Sequence, residues 1–337
     1  MEKIRVLLVT QRRVTDELVS MLQRVSPRLV IETRTADEKA ECSDIWKHVE
    51  VLYTDDLLPP DGDAPCLRWI QGHYAGVDRW GQRAMSESVI WTTTNGIHSP
   101  QVAELVLTLM LALARKLPLM FKLQEKGEWC NARHEVLMPR ELRQATAGII
   151  GYGNIGRQVG YLCRAFGMRV IAADRKEVLE REPAWKLPGL ASPADAMPDK
   201  LFDPSDITPL LQESDYVVLC VPATPQTIGL INDRALASMK ASCVLINVAR
   251  GGVVDEDALV EALRSHRIGG AALDVFAKEP LPPSSPLWKL PNMIITHHVA
   301  GLSPYYLERS MTLFAENLRR YVAGEQLLNV VDRVRGY

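Results

Sequence analysis

Three short stretches of this 337-residue chain carry side chains able to move a proton or hold an anion. "LINVARGGVVDEDAL" (245–259) sets Arg250 after an apolar run and before two glycines. "ALDVFAKEPL" (272–281) puts Asp274 at the end of another such run and Glu279 in the turn that follows. "IITHHVAG" (294–301) ends a third run in adjacent histidines, His297 and His298. An arginine recognises a carboxylate with a planar, two-pronged set of donors and can polarise a neighbouring carbonyl. A histidine supplies or removes a proton near neutral pH. A carboxylate bonded to the imidazole orients it and stabilises its charged form. Arginine, acid and histidine in this combination suit hydride transfer between a dinucleotide and a 2-oxo acid.

A dinucleotide site is marked in "AGIIGYGNIGRQVGYLCRAFGMRVIAADR" (147–175). Gly151, Gly153 and Gly156 form GxGxxG directly after an apolar strand and at the opening of a helix. The first glycine permits the tight turn, the second lets backbone approach a pyrophosphate, and the third lets helix and strand pack closely. The helix then offers its free N–H groups and positive dipole end to the phosphates. The next strand leads into Asp174, where an acid takes the ribose hydroxyls and repels a 2′-phosphate. NAD is therefore the expected cofactor. Arg175 and Lys176 leave NADP as the alternative, although "RKEVLERE" (175–182) reads as a solvated charged segment.

The elements that must position these residues alternate along the chain. Strands are expected at 4–9, 49–54, 67–72, 89–94, 146–151, 169–174, 216–221, 243–248, 269–275 and 293–298. Continuous apolar strands separated by helical segments indicate parallel sheets covered on both faces, hence an α/β protein. A long helix is expected over about 100–124, and a final one over 303–324, with Ser303 as cap, Pro304 first and Gly324 at its end. The proline-rich stretch 186–204 reads as a surface loop. Net charge is −2, which offers no long-range attraction for nucleic acid or anionic membrane. The opening "MEKIRVLLVT" is too charged for a secretory signal, and the apolar stretch 103–115 is too short to span a bilayer. Six scattered cysteines form no metal-binding spacing and read as reduced, in a cytoplasmic protein.

Taken together, "GYGNIGRQV", "VPATPQT", "INVARGGVVDEDAL", "LDVFAKEPL" and "PLWKLPNMIITHHVAG" resemble, in order, the signatures of the D-isomer-specific 2-hydroxyacid dehydrogenases, over about residues 50–330. The resemblance implies a Rossmann-type doubly wound sheet inserted into a smaller flavodoxin-like substrate domain. Residues 1–99 plus 302–337 would form the substrate domain and 100–301 the dinucleotide domain, closing on each other around substrate. It implies Arg250 as substrate binder, Glu279 as partner of the acid/base histidine, and no metal. That histidine would be His298, with His297 in place of the family's proline; strand alternation would likewise let only one of the pair face the nicotinamide.

Around the cofactor the resemblance implies Asn154 and Ile155 on the diphosphate turn, and Val221, Pro222 and Thr227 near the adenosine ribose and phosphates. Val102, Ala249, Asp274, His298 and Gly301 would lie toward the nicotinamide. In "GHYAGVDRW" (72–80) Ala75 and Gly76 would offer N–H groups to the substrate carboxylate, with Tyr74 as pocket wall. His98 reads as a hinge residue, and a homodimer through about 100–145 is implied. A formate- or phosphite-oxidising relative is disfavoured, since the former usually has Gln at Glu279 and the latter a lysine in the loop at 73–78. A dinucleotide-sensing corepressor on the same fold is the alternative function. A methyltransferase or epimerase would explain the glycine turn and leave the Arg/Glu/His trio unexplained.

Overall fold

The β-branched runs do form parallel strands, in two separate sheets. The computed structural model describes every residue except 1, 12, 36–44, 61, 78–87, 181–184, 186, 191–194 and 333–337. In chain order the strands are β1 (Ile4–Thr10), β2 (Leu29–Thr35), β3 (Val51–Thr54), β4 (Trp69–Gly72), β5 (Ile90–Thr92), β6 (Thr146–Ile150), β7 (Arg169–Ala173), β8 (Lys200–Phe202), β9 (Tyr216–Leu219), β10 (Val244–Asn247), β11 (Gly270–Leu273) and β12 (Met293–Ile295). The helices are α1 (Asp16–Gln23), α2 (Ser99–Ala114), α3 (Leu117–Lys126), α4 (Arg133–Val136), α5 (Asn154–Ala165), α6 (Lys176–Glu180), α7 (Thr208–Glu213), α8 (Asp233–Ser238), α9 (Glu256–Arg264) and α10 (Tyr306–Ala323). The chain divides into one unit of residues 1–97, 184–187 and 303–337, and a second of 98–183 and 188–302.

In the first unit five parallel strands run in the order β2-β1-β3-β4-β5, the flavodoxin-like arrangement. Alternation along β1 sends Val6 and Leu8 to one face and Leu7 and Val9 to the other, and each face has its own apolar cluster. The C-terminal α10 covers the first face with Met311, Phe314 and Leu318, and Phe314 lies against the rings of Tyr53 and Trp69 at 5.1 and 5.3 Å. β2 was not expected from the sequence. As an edge strand, "LVIETRT" is mostly half-buried and carries no continuous apolar run.

The second unit holds seven parallel strands in the order β12-β11-β10-β9-β6-β7-β8. The order reverses between β6 and β9, so this is where a doubly wound sheet opens its ligand crevice. Neighbours again split between two cores: Ile150, Val217 and Leu245 on one face, Ile149, Val218 and Ile246 on the other. Among the described residues no helix is long and apolar enough to cross a membrane.

Four expectations need correction. The helix expected over 100–124 is two, because Lys116 takes a left-handed φ of 56° and Pro118 starts α3 afresh. α10 starts at Tyr306, after Ser303 has used its hydroxyl to accept the Tyr305 N–H; Gly324 does end it, at φ 72°. The stretch 186–204 is not all loop, since β8 adds an edge strand beside β7. The last strand stops at Ile295, so the histidine pair lies beyond the pleat and alternation does not decide where each points.

Just past β4, His73 is built into the first unit by its neighbours. Its Nδ1 bonds the hydroxyl of fully buried Tyr53 at 2.6 Å, and its ring lies against those of Tyr74 and Tyr306. Burial lowers His73 to about 4 and pushes the Tyr53 phenol well up, so Tyr53 donates and the imidazole is neutral. The ionisable side chains packed against it are the three phenols, with Asp55 acting on Tyr53 from the next turn of chain. Below the ordinary histidine value of 6.5, the unfolded chain takes up a proton that the folded chain refuses until about 4. Stability from this group is thus full above that range and falls as pH drops through it. Between pH 6.5 and 5 the wild type should lose about 1.5 kcal/mol of unfolding free energy that a His73→Gln variant does not lose. Urea denaturation at the two pH values measures this.

Candidate active site

Arg250, Asp274, Glu279 and the histidine pair, with the glycine turn and Asp174, follow the carboxyl ends of the second unit's strands. β6 runs into Gly151, β7 into Asp174, β9 into Val221 and Pro222, β10 into Ala249 and Arg250, β11 into Asp274 and Glu279, and β12 into the histidines. Parallel strands with consecutive crossovers deliver their ends to one edge, so residues distant in sequence meet there.

The glycine turn has the geometry a diphosphate needs. Gly151 has φ 89°, and a Cβ there would stand 2.8 Å from the backbone of Cys220. A Cβ at Gly156 would lie 2.2 Å from the Gly151 carbonyl oxygen, which fixes how closely α5 follows the turn. At Gly153 a Cβ would meet nothing within 4 Å, so the face of the turn is open to an approaching ligand. Asn154 and Ile155 begin α5, whose free N–H groups follow. The Asp174 carboxylate is held against this turn, one oxygen accepting the Tyr152 N–H at 2.6 Å and the other the Arg175 N–H at 2.7 Å. These residues fit a dinucleotide. Arg157, buried in α5, donates to the carbonyls of Val178 and Leu179 and so ties down the segment after Asp174.

The candidate acid/base residues, His298 and Glu279, lie against each other. His298 Nδ1 lies 2.7 Å from Glu279 Oε2, while Glu279 Oε1 accepts the Phe276 N–H at 2.9 Å. Burial pushes the Glu279 carboxyl up, but the His298 ring, the Phe276 N–H and the nearby Arg250 charge outweigh it and hold it below the ordinary value. Glu279 is therefore ionised at neutral pH and orients the ring through Nδ1, leaving Nε2 for a reacting oxygen. His298 itself sits at φ 54°, a left-handed conformation costly for a non-glycine residue and found where function over-determines the backbone.

What imposes that conformation is Asp274. Its carboxylate, 1% exposed, accepts the Thr296 hydroxyl at 2.6 Å, the Val299 N–H at 3.0 Å and the Ala300 N–H at 2.9 Å. Its carbonyl accepts the His298 N–H at 2.7 Å. The chain from 296 to 300 is thus wrapped around one acid. His297 is left on the outside, its ring 6.1 Å from that of Trp288.

Arg250 is set by the turn after β10. Asn247, fully buried, accepts the Ala249 N–H and donates to the Arg250 carbonyl, and an Arg250 Nη donates to the Ala249 carbonyl. Gly251 must be glycine, since a Cβ would fall 1.8 Å from the Phe276 carbonyl carbon. The Arg250 turn therefore packs directly on the chain leading to Glu279. Asn247 was not among the sequence candidates; a polar side chain inside the run "VLIN" is the signal that could have found it.

Other candidates are placed less directly. Thr227 staples its own loop, donating to the Pro222 carbonyl and accepting the Thr224 N–H. Gly301 carries the Gln101 amide on its carbonyl, and a Cβ there would lie 3.2 Å from the His98 ring. Val102 is 4% exposed and packs within the core of α2 and the sheet. Tyr74, Ala75 and Gly76 are half-buried and belong to the first unit, in the bend after β4; the rest of their loop, from residue 78, lies outside the described residues. Among the described residues there is no cluster of metal-ligating side chains.

Comparison with known proteins identifies the family. Residues 107–300 match the model of the D-isomer specific 2-hydroxyacid dehydrogenase NAD binding domain. The chain is 37% identical over 328 residues to D-3-phosphoglycerate dehydrogenase of Methanocaldococcus jannaschii, covering 94% of this chain and 57% of that longer protein. It is 34% identical over 274 residues to glyoxylate reductase of Korarchaeum cryptofilum, 80% of this chain and 77% of the relative. Among solved structures, a D-isomer specific 2-hydroxyacid dehydrogenase from Xanthobacter autotrophicus in complex with NADPH and MES superposes with a TM-score of 0.78 at 30% identity, over 99% of this chain and all of that one. On this match and on the ordered site behind it, the chain belongs to the D-isomer specific 2-hydroxyacid dehydrogenase family.

Proposed function

We propose that the protein reduces a small 2-oxo acid to the D-2-hydroxy acid with NADH, and runs the reverse oxidation with NAD. The observation that carries this reading is the 2.7 Å pair between His298 and an ionised Glu279, on the same sheet edge as an open glycine turn. The nicotinamide, when bound, supplies or accepts the hydride. The protein's share is the rest: His298 gives a proton to the carbonyl oxygen through Nε2, Glu279 holds the ring and offsets its charge, and Arg250 takes the carboxylate and polarises the carbonyl. Gly151, Gly153, Asn154, Ile155 and Gly156 hold the diphosphate, Asp174 the ribose hydroxyls, and Val221, Pro222 and Thr227 border the adenosine half. Val102, Ala249, Asp274 and Gly301 serve the nicotinamide end, Asp274 by shaping the histidine loop. Tyr74, Ala75 and Gly76 receive the substrate in the first unit. The family relatives named glyoxylate reductase support a small acid.

The preference for NADH rests on the carboxylate of Asp174, which repels a 2′-phosphate. NADP is the second reading, favoured by Arg175 directly beside it and by relatives solved with NADPH or NADP. A homodimer is supported by the arm of α3, α4 and their connection, which leaves Phe121, Trp129 and Met138 more than half exposed. A cytoplasmic location is supported by the described cysteines, all unpaired, with burial pushing Cys163, Cys220 and Cys243 up to about 12.

Following NADH and NADPH oxidation across a panel of 2-oxo acids tests the reading. His298→Ala should lower kcat by about 10²–10⁴ and His297→Ala by no more than a few-fold; a dead His297→Ala variant would reverse the assignment. Wild type should prefer NADH, and Asp174→Ala should narrow that preference by about tenfold or more. Sedimentation should find a dimer, and Trp129→Asp should shift it toward monomer. Binding of NADH without turnover of any acid would favour the sensing role instead.

A further inference from the structure

Glu279 stands on an exposed turn, and something must keep that turn from swinging. Val275 and Phe276 are buried, but Ala277, Lys278, Glu279 and Pro280 are all exposed. The bond from the Phe276 N–H to Glu279 Oε1 closes the turn on itself and ties it to no other element. Among the described residues, and apart from His298, one hydrogen bond joins residues 275–280 to another part of the chain. The Ala277 N–H donates to Glu256 Oε1 at 2.6 Å.

Glu256 reaches the turn from a firm base. It is the first residue of α9, which Asp255 caps by accepting the N–H groups of Asp257 and Ala258, each at 3.1 Å. The Asp255 N–H is spent on the Ile231 carbonyl at 2.9 Å, and α9 buries Leu259, Val260 and Leu263. The run of chain leading into α9 also carries Arg250 and Gly251. A Cβ at Gly251 would fall 1.8 Å from the Phe276 carbonyl carbon and 2.2 Å from the Ala277 nitrogen. One segment therefore meets the Phe276–Ala277 peptide twice, by packing at Gly251 and by a charge-assisted hydrogen bond at Glu256. A peptide unit is planar, so a close steric contact and one directed bond fix the whole plane.

We propose that Glu256 is a positioning residue for proton transfer: by holding the Ala277 N–H it fixes the turn from which Glu279 orients His298. This rests on the dehydrogenase reading above and extends it to a residue that acts through a peptide group rather than on the substrate. It also makes residues 250–256 a common mount, with Arg250 at one end and the support of the acid/base pair at the other. The bond needs an acceptor oxygen at the end of two methylenes. Glutamine supplies one without the charge, whereas aspartate keeps the charge and falls a methylene short.

The test compares Glu256→Ala, Glu256→Gln and Glu256→Asp with wild type, using steady-state kinetics with glyoxylate and bulkier 2-oxo acids, NADH binding by fluorescence, and thermal melting. Glu256→Ala should lower kcat about tenfold, as expected when a reacting group is held less exactly. KM for the 2-oxo acid and the NADH dissociation constant should stay within about twofold, because Arg250 and the glycine turn have their own supports. Glu256→Gln should restore kcat to within about threefold of wild type, and Glu256→Asp should stay close to Glu256→Ala. An active wild type with unchanged kcat in Glu256→Ala overturns the inference alone. Restoration by Asp and not by Gln makes the charge the cause and overturns it as well. Equal losses in all three variants, or a matching loss of NADH affinity or melting temperature, make Glu256 general support for the fold, which also overturns it. A wild type that binds NADH and turns over none of the acids overturns the dehydrogenase reading and this inference with it.

Discussion

The site depends most on one buried carboxylate. Asp274 lies at the end of β11, nearly without solvent, and a charge in that position must be surrounded by donors or it destabilises the fold severely. The donors come from the next strand's continuation: Thr296, Val299 and Ala300. To supply them the chain has to leave the pleat after Ile295 and curl around the acid. His298 is the residue at the apex of that curl, and its left-handed backbone follows from the wrapping. Desolvation of an acid is thereby converted into a fixed direction for an imidazole.

The same economy recurs at the neighbouring strand ends. Asn247 holds the Arg250 turn from inside the sheet, and Gly251 lets that turn lie directly on the Phe276 peptide. Phe276 in turn gives its N–H to Glu279, whose other oxygen takes the histidine. Arginine, glutamate and histidine are thus linked through short, backbone-rich contacts. The Arg250 turn is held by buried Asn247 and the histidine loop by buried Asp274, which resist small displacements better than long surface side chains do. The Glu279 and His298 side chains themselves are exposed. Surface ion pairs such as Arg319 with half-buried Glu316 and exposed Glu325 add little to stability and nothing to the site.

In the first unit the chain after β4 is held through its carbonyls: Thr94 donates to those of His73 and Tyr74, and Tyr306 donates to that of His73 as well. His73, between phenol rings and neutral, packs the bend from behind. None of this shows in the residue types, because threonine, tyrosine and histidine are common in β-rich segments. The relevant information is which carbonyl each donor finds.

Sequence alone determined the class and the ends of the chemistry. Apolar runs of period-free strand character, a glycine turn between strand and helix, and an acid after the next strand are local patterns, and local sterics and burial suffice to read them. Arg250, Glu279 and His298 could be named because each follows such a run. What the sequence left undetermined was everything set by partners far along the chain. Edge strands β2 and β8 lacked a fully apolar pattern because half their surface meets solvent, and pairing with β1 and β7 decides them. The strand expected to carry the histidines ended three residues early because Asp274, more than twenty residues upstream, captured the chain. Local preference chose the elements; long-range hydrogen bonds to buried groups, which no window of sequence contains, chose where they stop and which way the reacting atoms face.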